Sequence, residues 1–249
     1  MPRLAPRLSL LLPALIAGLA LPLSAGAQEM SDEEIKQLAL QAILENPEVV
    51  MEAIQILRER EAAEAQAQAQ AVLEGSRESL EADPNAPVLG NPDGDVTLIE
   101  FFDYNCPYCK RAGEEVAKLL ESDGNIRVVY REWPILGEGS VFAARAALAA
   151  REQDRYPEFH EALMTARGRL GETSVLKIAA DLGLDIDKLR ADMQSPDVQA
   201  HIDTSMQLAQ SLGLTGTPGF VVGEEMAPGF LEAAQLQELV DAAREAEGG

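Results

Sequence analysis

Cysteine is nearly absent from this chain. Its 249 residues contain two, and both lie in one tetrapeptide, Cys106-Pro107-Tyr108-Cys109. With no third cysteine, the chain can neither hold its fold with a second disulfide nor build a four-cysteine zinc site. Histidine is as scarce. His160 and His201 are too few and too isolated for a histidine-rich metal site, and each is expected on the surface or in helix packing. Positive charge is also short: 20 Lys and Arg stand against 42 Asp and Glu, a formal net charge of −22. Such an acidic surface argues against nucleic acid or anionic lipid as a partner.

A long apolar run occurs at the start. Arg3 and Arg7 precede a nearly continuous stretch from Leu8 to Leu23, broken by Pro13, Gly18 and Pro22, and Ala25-Gly26-Ala27 follows. This is the pattern of a secretory signal over residues 1–27 with an A-x-A cleavage site. The run is short and interrupted for a membrane anchor, and no basic stop-transfer cluster follows it. The chain is therefore expected to be exported into an oxidising compartment.

Residues 28–82 predict a helical extension. Ser31-Asp32-Glu33-Glu34 is a capping box, and Ile35, Leu38, Ala42 and Ile43 recur at helical spacing. Asn46-Pro47 interrupts and restarts the pattern, which runs through Val50, Met51, Ile54 and Leu57 into an Ala/Gln/Glu-rich stretch of strong helix formers. Gly75 is expected to fray the end. The apolar stripe can pack on the main domain or on copies of itself, and self-association is the favoured expectation because uncovered stripes need partners.

Residues 83–87, Asp-Pro-Asn-Ala-Pro, predict a linker. The periodicity then changes. Val88–Gly90 and Val96–Phe102 predict strands around an Asn-Pro-Asp-Gly turn, Lys110–Leu120 a helix, and Ile126–Trp133 a strand. Helices alone are predicted across about 138–213. A short strand near Phe220 and a closing helix over Leu231–Ala246 follow. One α/β domain, 88–249, with a helical block inserted in its middle, accounts for this order.

Cys106 is predicted where a strand ends and a helix begins. There, unpaired N–H groups and the helix dipole favour a thiolate. Pro107 suits the first helical turn. Cys109, one turn on, is less exposed and spaced to attack a mixed disulfide formed at Cys106. A zinc site would need two further ligands that the sequence lacks nearby.

Phe101-Phe102-Asp103-Tyr104-Asn105-Cys106-Pro107-Tyr108-Cys109, Arg131-Glu132-Trp133-Pro134 and Gly216-Thr217-Pro218-Gly219-Phe220 resemble three motifs of DsbA-like thiol-disulfide oxidoreductases, in the right order. The resemblance runs from Val88 to the C-terminus. It implies a thioredoxin fold with an inserted helical domain and a redox-active disulfide between Cys106 and Cys109, with no other cofactor. It also implies a cis Pro218, preceded by Thr217, against the dithiol. Glu100 sits among Leu98, Ile99, Phe101 and Phe102: if buried, its carboxyl has a raised pKa and can exchange protons with Cys109, and the alternative is a solvent-facing residue on an edge strand.

Ile43-Leu44-Glu45-Asn46-Pro47-Glu48-Val49-Val50-Met51-Glu52 resembles the N-terminal region of the ScsC group, periplasmic DsbA-like proteins named for suppression of copper sensitivity. That resemblance implies a homo-oligomer, dimer or trimer, through the N-terminal helices. It also implies misoxidised periplasmic proteins as substrates and a DsbD-like membrane reductase as electron donor. Tyr108 stands where strongly oxidising members carry His. It supplies no cationic charge to the thiolate, which favours isomerisation or reduction over disulfide donation. Three rivals follow: a dithiol oxidase, a copper-tolerance protein holding Cu(I) between Cys106 and Cys109, and a structural or adhesive surface protein that merely keeps the fold.

Overall fold

The structure is a computed structural model that describes residues 30–247, so the expected leader, 1–27, lies outside the described residues. These residues form two compact units that divide between Arg58 and Glu59.

In the first unit, α1 (Asp32–Glu45) starts on the Ser31 capping box, with Glu34 reaching back to the Ser31 N–H at 2.9 Å. It ends at Asn46, whose N–H and side chain both bond to the Ala42 carbonyl. The second helix, α2 (Glu48–Glu81), begins after Pro47 and continues into the second unit. Every described residue of the first unit is exposed, including Ile35, Leu38, Leu44 and Met51.

Gly75 does not end α2, and the division of the units falls inside this helix rather than at 83–87. The reason is packing: Leu73 and Leu80, either side of Gly75, are buried. Each contributes roughly 1.5–3 kcal/mol by burial, more than the ~1 kcal/mol that a helical glycine costs.

The second unit is built on five strands: β1 (Val88–Gly90), β2 (Val96–Phe102), β3 (Ile126–Glu132), β4 (Gly219–Val222) and β5 (Glu225–Pro228). Their order is β1-β3-β2-β4-β5, with β2 and β3 parallel and the other pairings antiparallel. The edge strand β5 was not expected from sequence. It pairs back across Gly223-Glu224 and carries no buried residue, so it has no apolar alternation to betray it. Helix α3 (Pro107–Ser122) follows β2, and α9 (Ala233–Glu247) closes the chain. Between β3 and β4 come α4 (Glu138–Ala149), a 3₁₀ turn, α5 (Tyr156–Thr165), α6 (Glu172–Asp181), α7 (Ile186–Asp192) and α8 (Pro196–Ser211). This is the thioredoxin-like sheet with an inserted helical block.

Strand alternation splits the core in two. Leu98 and Phe102 of β2 pack with α3, α9 and the inserted helices, while Ile99 and Phe101 pack with Leu73, Leu80 and the end of α8. Glu100 therefore points to the α3 side.

A polar cluster ties residues 83–87 to this sheet. Asp83 accepts from Arg131 at 2.5 Å and lies 3.6 Å from His201 Nδ1. His201 Nε2 is 2.6 Å from Glu132, whose other oxygen accepts from Tyr156 at 2.7 Å. Arg131 also donates to the Ser79 and Leu80 carbonyls, and Arg127 to that of Glu81 at 2.7 Å, so arginines cap the C-terminus of α2. Neither histidine is on the surface. His201 is wholly buried here, and His160 packs among Phe102, Tyr104, Tyr130 and Tyr156.

Candidate active site

The site forms where β2 runs out. The Asp103 carboxylate accepts from the Asn105 N–H at 2.7 Å, an Asx turn that swings the chain off the strand. Cys106 follows as the N-cap of α3, with Pro107 at its first turn. Cys109 lies one turn in and is wholly buried, while Cys106 keeps slight exposure. Both are free thiols.

The register brings in the second wall. Gly219 of β4 pairs with Phe101, so the Thr217–Pro218 segment, whose peptide bond is cis, lies beyond the end of β2. The Thr217 carbonyl is 3.3 Å from Cys106 Sγ and accepts from its thiol.

The two thiols are driven apart. At Cys106, a hydrogen bond from Cys109 favours the thiolate most; burial opposes it. Hydrogen bonds from Thr217 and the backbone of Cys109 and Tyr108 then bring the thiol down to about 5. At Cys109, burial, the donated hydrogen bond and the Glu100 charge push the thiol far above its usual range.

Glu100 is wholly buried, and among the described residues neither of its oxygens has a hydrogen-bond partner. Burial first, and the Cys106 charge second, push it up to about 8. Carboxyl and thiols thus feel one another electrostatically.

A DSBA-like thioredoxin domain matches residues 97–241, more than half of the chain. The chain belongs to the DsbA-like thioredoxin domain family. Among solved structures, a thioredoxin-like oxidoreductase from Silicibacter pomeroyi is 63% identical, covering 68% of this chain and 98% of its own, with a TM-score of 0.67. A mutant of Proteus mirabilis ScsC that carries a linker deletion is 25% identical over 90% of this chain and 99% of its own, also at 0.67. A curated relative, the Na(+)/H(+) antiporter NhaA 3 of Salinispora tropica, is 31% identical over 169 residues, 65% of this chain. The chain spans only about a quarter of the length of that antiporter (26%).

In this DsbA-like domain the structure gathers Cys106, Pro107, Cys109, Glu100, Thr217 and Pro218 at one end of the sheet. Tyr108 faces outward and is 57% exposed, with the Arg111 guanidinium 5.9 Å from its ring and 4.3 Å from that of Phe230. Two positioning residues had no role assigned from sequence. The second carboxylate oxygen of Asp103 accepts from the Leu136 N–H at 2.9 Å. Asn105 accepts from the Leu170 N–H at 2.6 Å and donates to the Leu170 carbonyl at 3.1 Å. Gly139 permits that approach, since a Cβ there would collide with the Leu170 carbonyl. The Asp103-Tyr104-Asn105 sequence could have signalled the Asx turn; nothing local could have signalled partners more than 30 residues away.

Proposed function

We propose that the protein is a periplasmic thiol-disulfide oxidoreductase that acts mainly as an isomerase or reductase of misoxidised proteins. The observation that carries thiol exchange is the split between the thiols: about 5 at Cys106, against a strongly raised Cys109. The first is a thiolate at neutral pH and the second a protonated reserve. The preference for isomerase over oxidase rests on Tyr108 between the cysteines and on the exposed apolar helices upstream.

In this reading the Cys106 thiolate attacks one sulfur of a substrate disulfide. A Cys106–substrate S–S bond forms, the substrate S–S bond breaks, and the second sulfur leaves as a thiolate. Two exits follow. Another substrate thiolate can attack the mixed disulfide and expel Cys106 as a thiolate, which reshuffles the substrate with no net electron transfer. Alternatively Cys109 gives its proton to Glu100 and attacks Cys106 Sγ. That expels the substrate thiolate and leaves a Cys106–Cys109 disulfide and a substrate reduced by two electrons. Glu100 suits this step because the mixed disulfide removes the Cys106 charge, one of the two causes holding the carboxyl up. A DsbD-like membrane reductase would return the two electrons.

The exposed apolar residues of α1 and early α2 support a homo-oligomer, dimer or trimer, that presents several dithiols to one substrate. Among the described residues no helix is long and apolar enough to cross a membrane. Refolding of a scrambled disulfide protein tests the central reading: the full chain should speed recovery, and Cys106→Ser should not. Trapping the dithiol in cells separates isomerase from oxidase, because a mostly oxidised pair would favour the oxidase. Light scattering tests assembly: the full chain should exceed one chain's mass, and Leu38→Glu with Ile54→Glu should return it to a monomer. Cu(I) titration with and without Cys109→Ser tests the copper reading, which requires tight, cysteine-dependent binding.

A further inference from the structure

The chain is acidic overall, and the segments around its dithiol depart from that balance. Asp103 and Asn105 pin two loops beside Cys106. The first, residues 133–141, is held through Leu136 N and through Ser140 Oγ, 3.2 Å from Asn105 Nδ2. The second, residues 165–171, is held through Leu170 and through the Lys110 ammonium, which donates to the Ala166 carbonyl. Arg169 links the two loops by donating to the Leu136 carbonyl.

Segments 103–112, 133–141, 165–171 and 214–220 together hold Lys110, Arg111, Arg167 and Arg169, four of the chain's 20 bases, but only Asp103 and Glu138 of its 42 acids. Asp103 is buried and occupied by the Asn105 and Leu136 N–H groups, which leaves Glu138 as the exposed acid of this set. Of the nearby acids, Glu115 bonds Lys118 at 2.7 Å and the Ala233 N–H while also feeling the Arg111 charge, Glu172 pairs with Arg190 at 2.5 Å, and Glu114 is exposed one turn along α3. Arg111, Arg167 and Arg169 are exposed. Tyr108, Ile135 and Leu136 add exposed apolar surface among them.

We propose that this face is a cationic rim that selects acidic stretches of polypeptide flanking the disulfide to be exchanged. A solvated surface of average composition would carry two acids per base here, as the chain does overall; the ratio is reversed. Arg111 is held between the Tyr108 and Phe230 rings, so its planar donors are presented with little side-chain freedom left to lose. An acidic segment would be steered to this rim and repelled by the rest of the surface. The inference rests on the thiol-exchange reading and names its substrate class.

Three disulfide-linked peptides, identical except for Glu, Gln or Lys on both sides of the cysteine, provide the test. The reduced full chain is mixed with each, and formation of the Cys106 mixed disulfide is timed. At low ionic strength the Glu peptide should react about tenfold faster than the Lys peptide, with Gln between them. The spread should collapse at roughly 0.5 M salt. Combined Arg111→Gln, Arg167→Gln and Arg169→Gln should narrow it at low salt. Equal rates for the three peptides in the unmutated chain would overturn the rim, whether or not the variant folds. A spread unchanged by salt would overturn it too. Exchange with none of the three would overturn the thiol-exchange reading itself.

Discussion

Glu100 and Glu132 are both wholly buried on adjacent strands of one sheet, and their surroundings could hardly differ more. Glu132, at the end of β3, meets Tyr156 at 2.7 Å and His201 at 2.6 Å. Its neighbours extend to Asp83 and Arg131, so two carboxylates face a guanidinium and an imidazole. Glu100, two residues back from the end of β2, sits opposite Tyr130 and near the dithiol, and among the described residues its oxygens have no hydrogen-bond partner. Burial of a carboxyl is costly unless it is paired or protonated. The fold resolves that cost by pairing in one case and by a raised pKa in the other. A raised pKa leaves a proton that can move; a pair holds structure.

Breaking the pair should have the largest effect. Glu132→Ala leaves His201 and Tyr156 without their buried partner, and His201→Ala leaves buried Glu132 with Tyr156 but without its imidazole. Either should cost about 3–5 kcal/mol, read from denaturant midpoints, while the folded fraction keeps its Cys106 reactivity. A loss below about 1 kcal/mol would mean the cluster is not held as described.

Glu100→Gln should behave in the opposite way. It removes an unpartnered carboxyl, so stability should hold or rise at neutral pH. Attack by Cys106 on a disulfide should stay within the same order of magnitude. Resolution of the mixed disulfide by Cys109 should slow about 10²-fold, measured in single-turnover quench experiments. Equal slowing of both steps would remove Glu100 as the proton acceptor.

The subtlest consequence is in pH. Glu100 is raised from 4.5 to about 8 in the fold, so the native state holds its proton longer, and this group lowers stability as pH climbs between those values. Cys106 is lowered from 9.0 to about 5, so the native state releases its proton first, and this group raises stability across that window. Between roughly pH 5 and 8 the two oppose each other. In the reduced protein the contributions of these two groups should therefore largely cancel there. Glu100→Gln should uncover a rise with pH, and Cys106→Ser a fall. Parallel profiles for both variants would show that the two groups do not titrate against each other.

Much of the site was legible in sequence because it is local. Cys106, Pro107 and Cys109 lie within one turn, and Glu100 declares itself as a charge inside an apolar strand. The strand-helix order, apart from edge strand β5, and the inserted helices follow from periodicity. What escaped is non-local. Asp83 reads as part of a Pro-flanked linker, and only the arrival of Arg131 and His201, 48 and 118 residues later, turns it into a buried anchor. His201 sits on an ordinary amphipathic helix, with nothing in its neighbours to announce Glu132. Gly75 reads as a stop because the leucines that override it find their partners on a sheet not yet formed.

Those leucines bear on where this module can be cut. The family match starts at residue 97, yet Ile99, Phe101, Val129 and Val221 are covered in part by Leu73 and Leu80. A gene fragment or a proteolytic product beginning at the match would expose a greasy flank of its own sheet. It should precipitate or be captured by chaperones, whereas one that begins before Leu73 should stay in solution. The portable piece of this chain is thus longer than the stretch that carries its recognisable motifs.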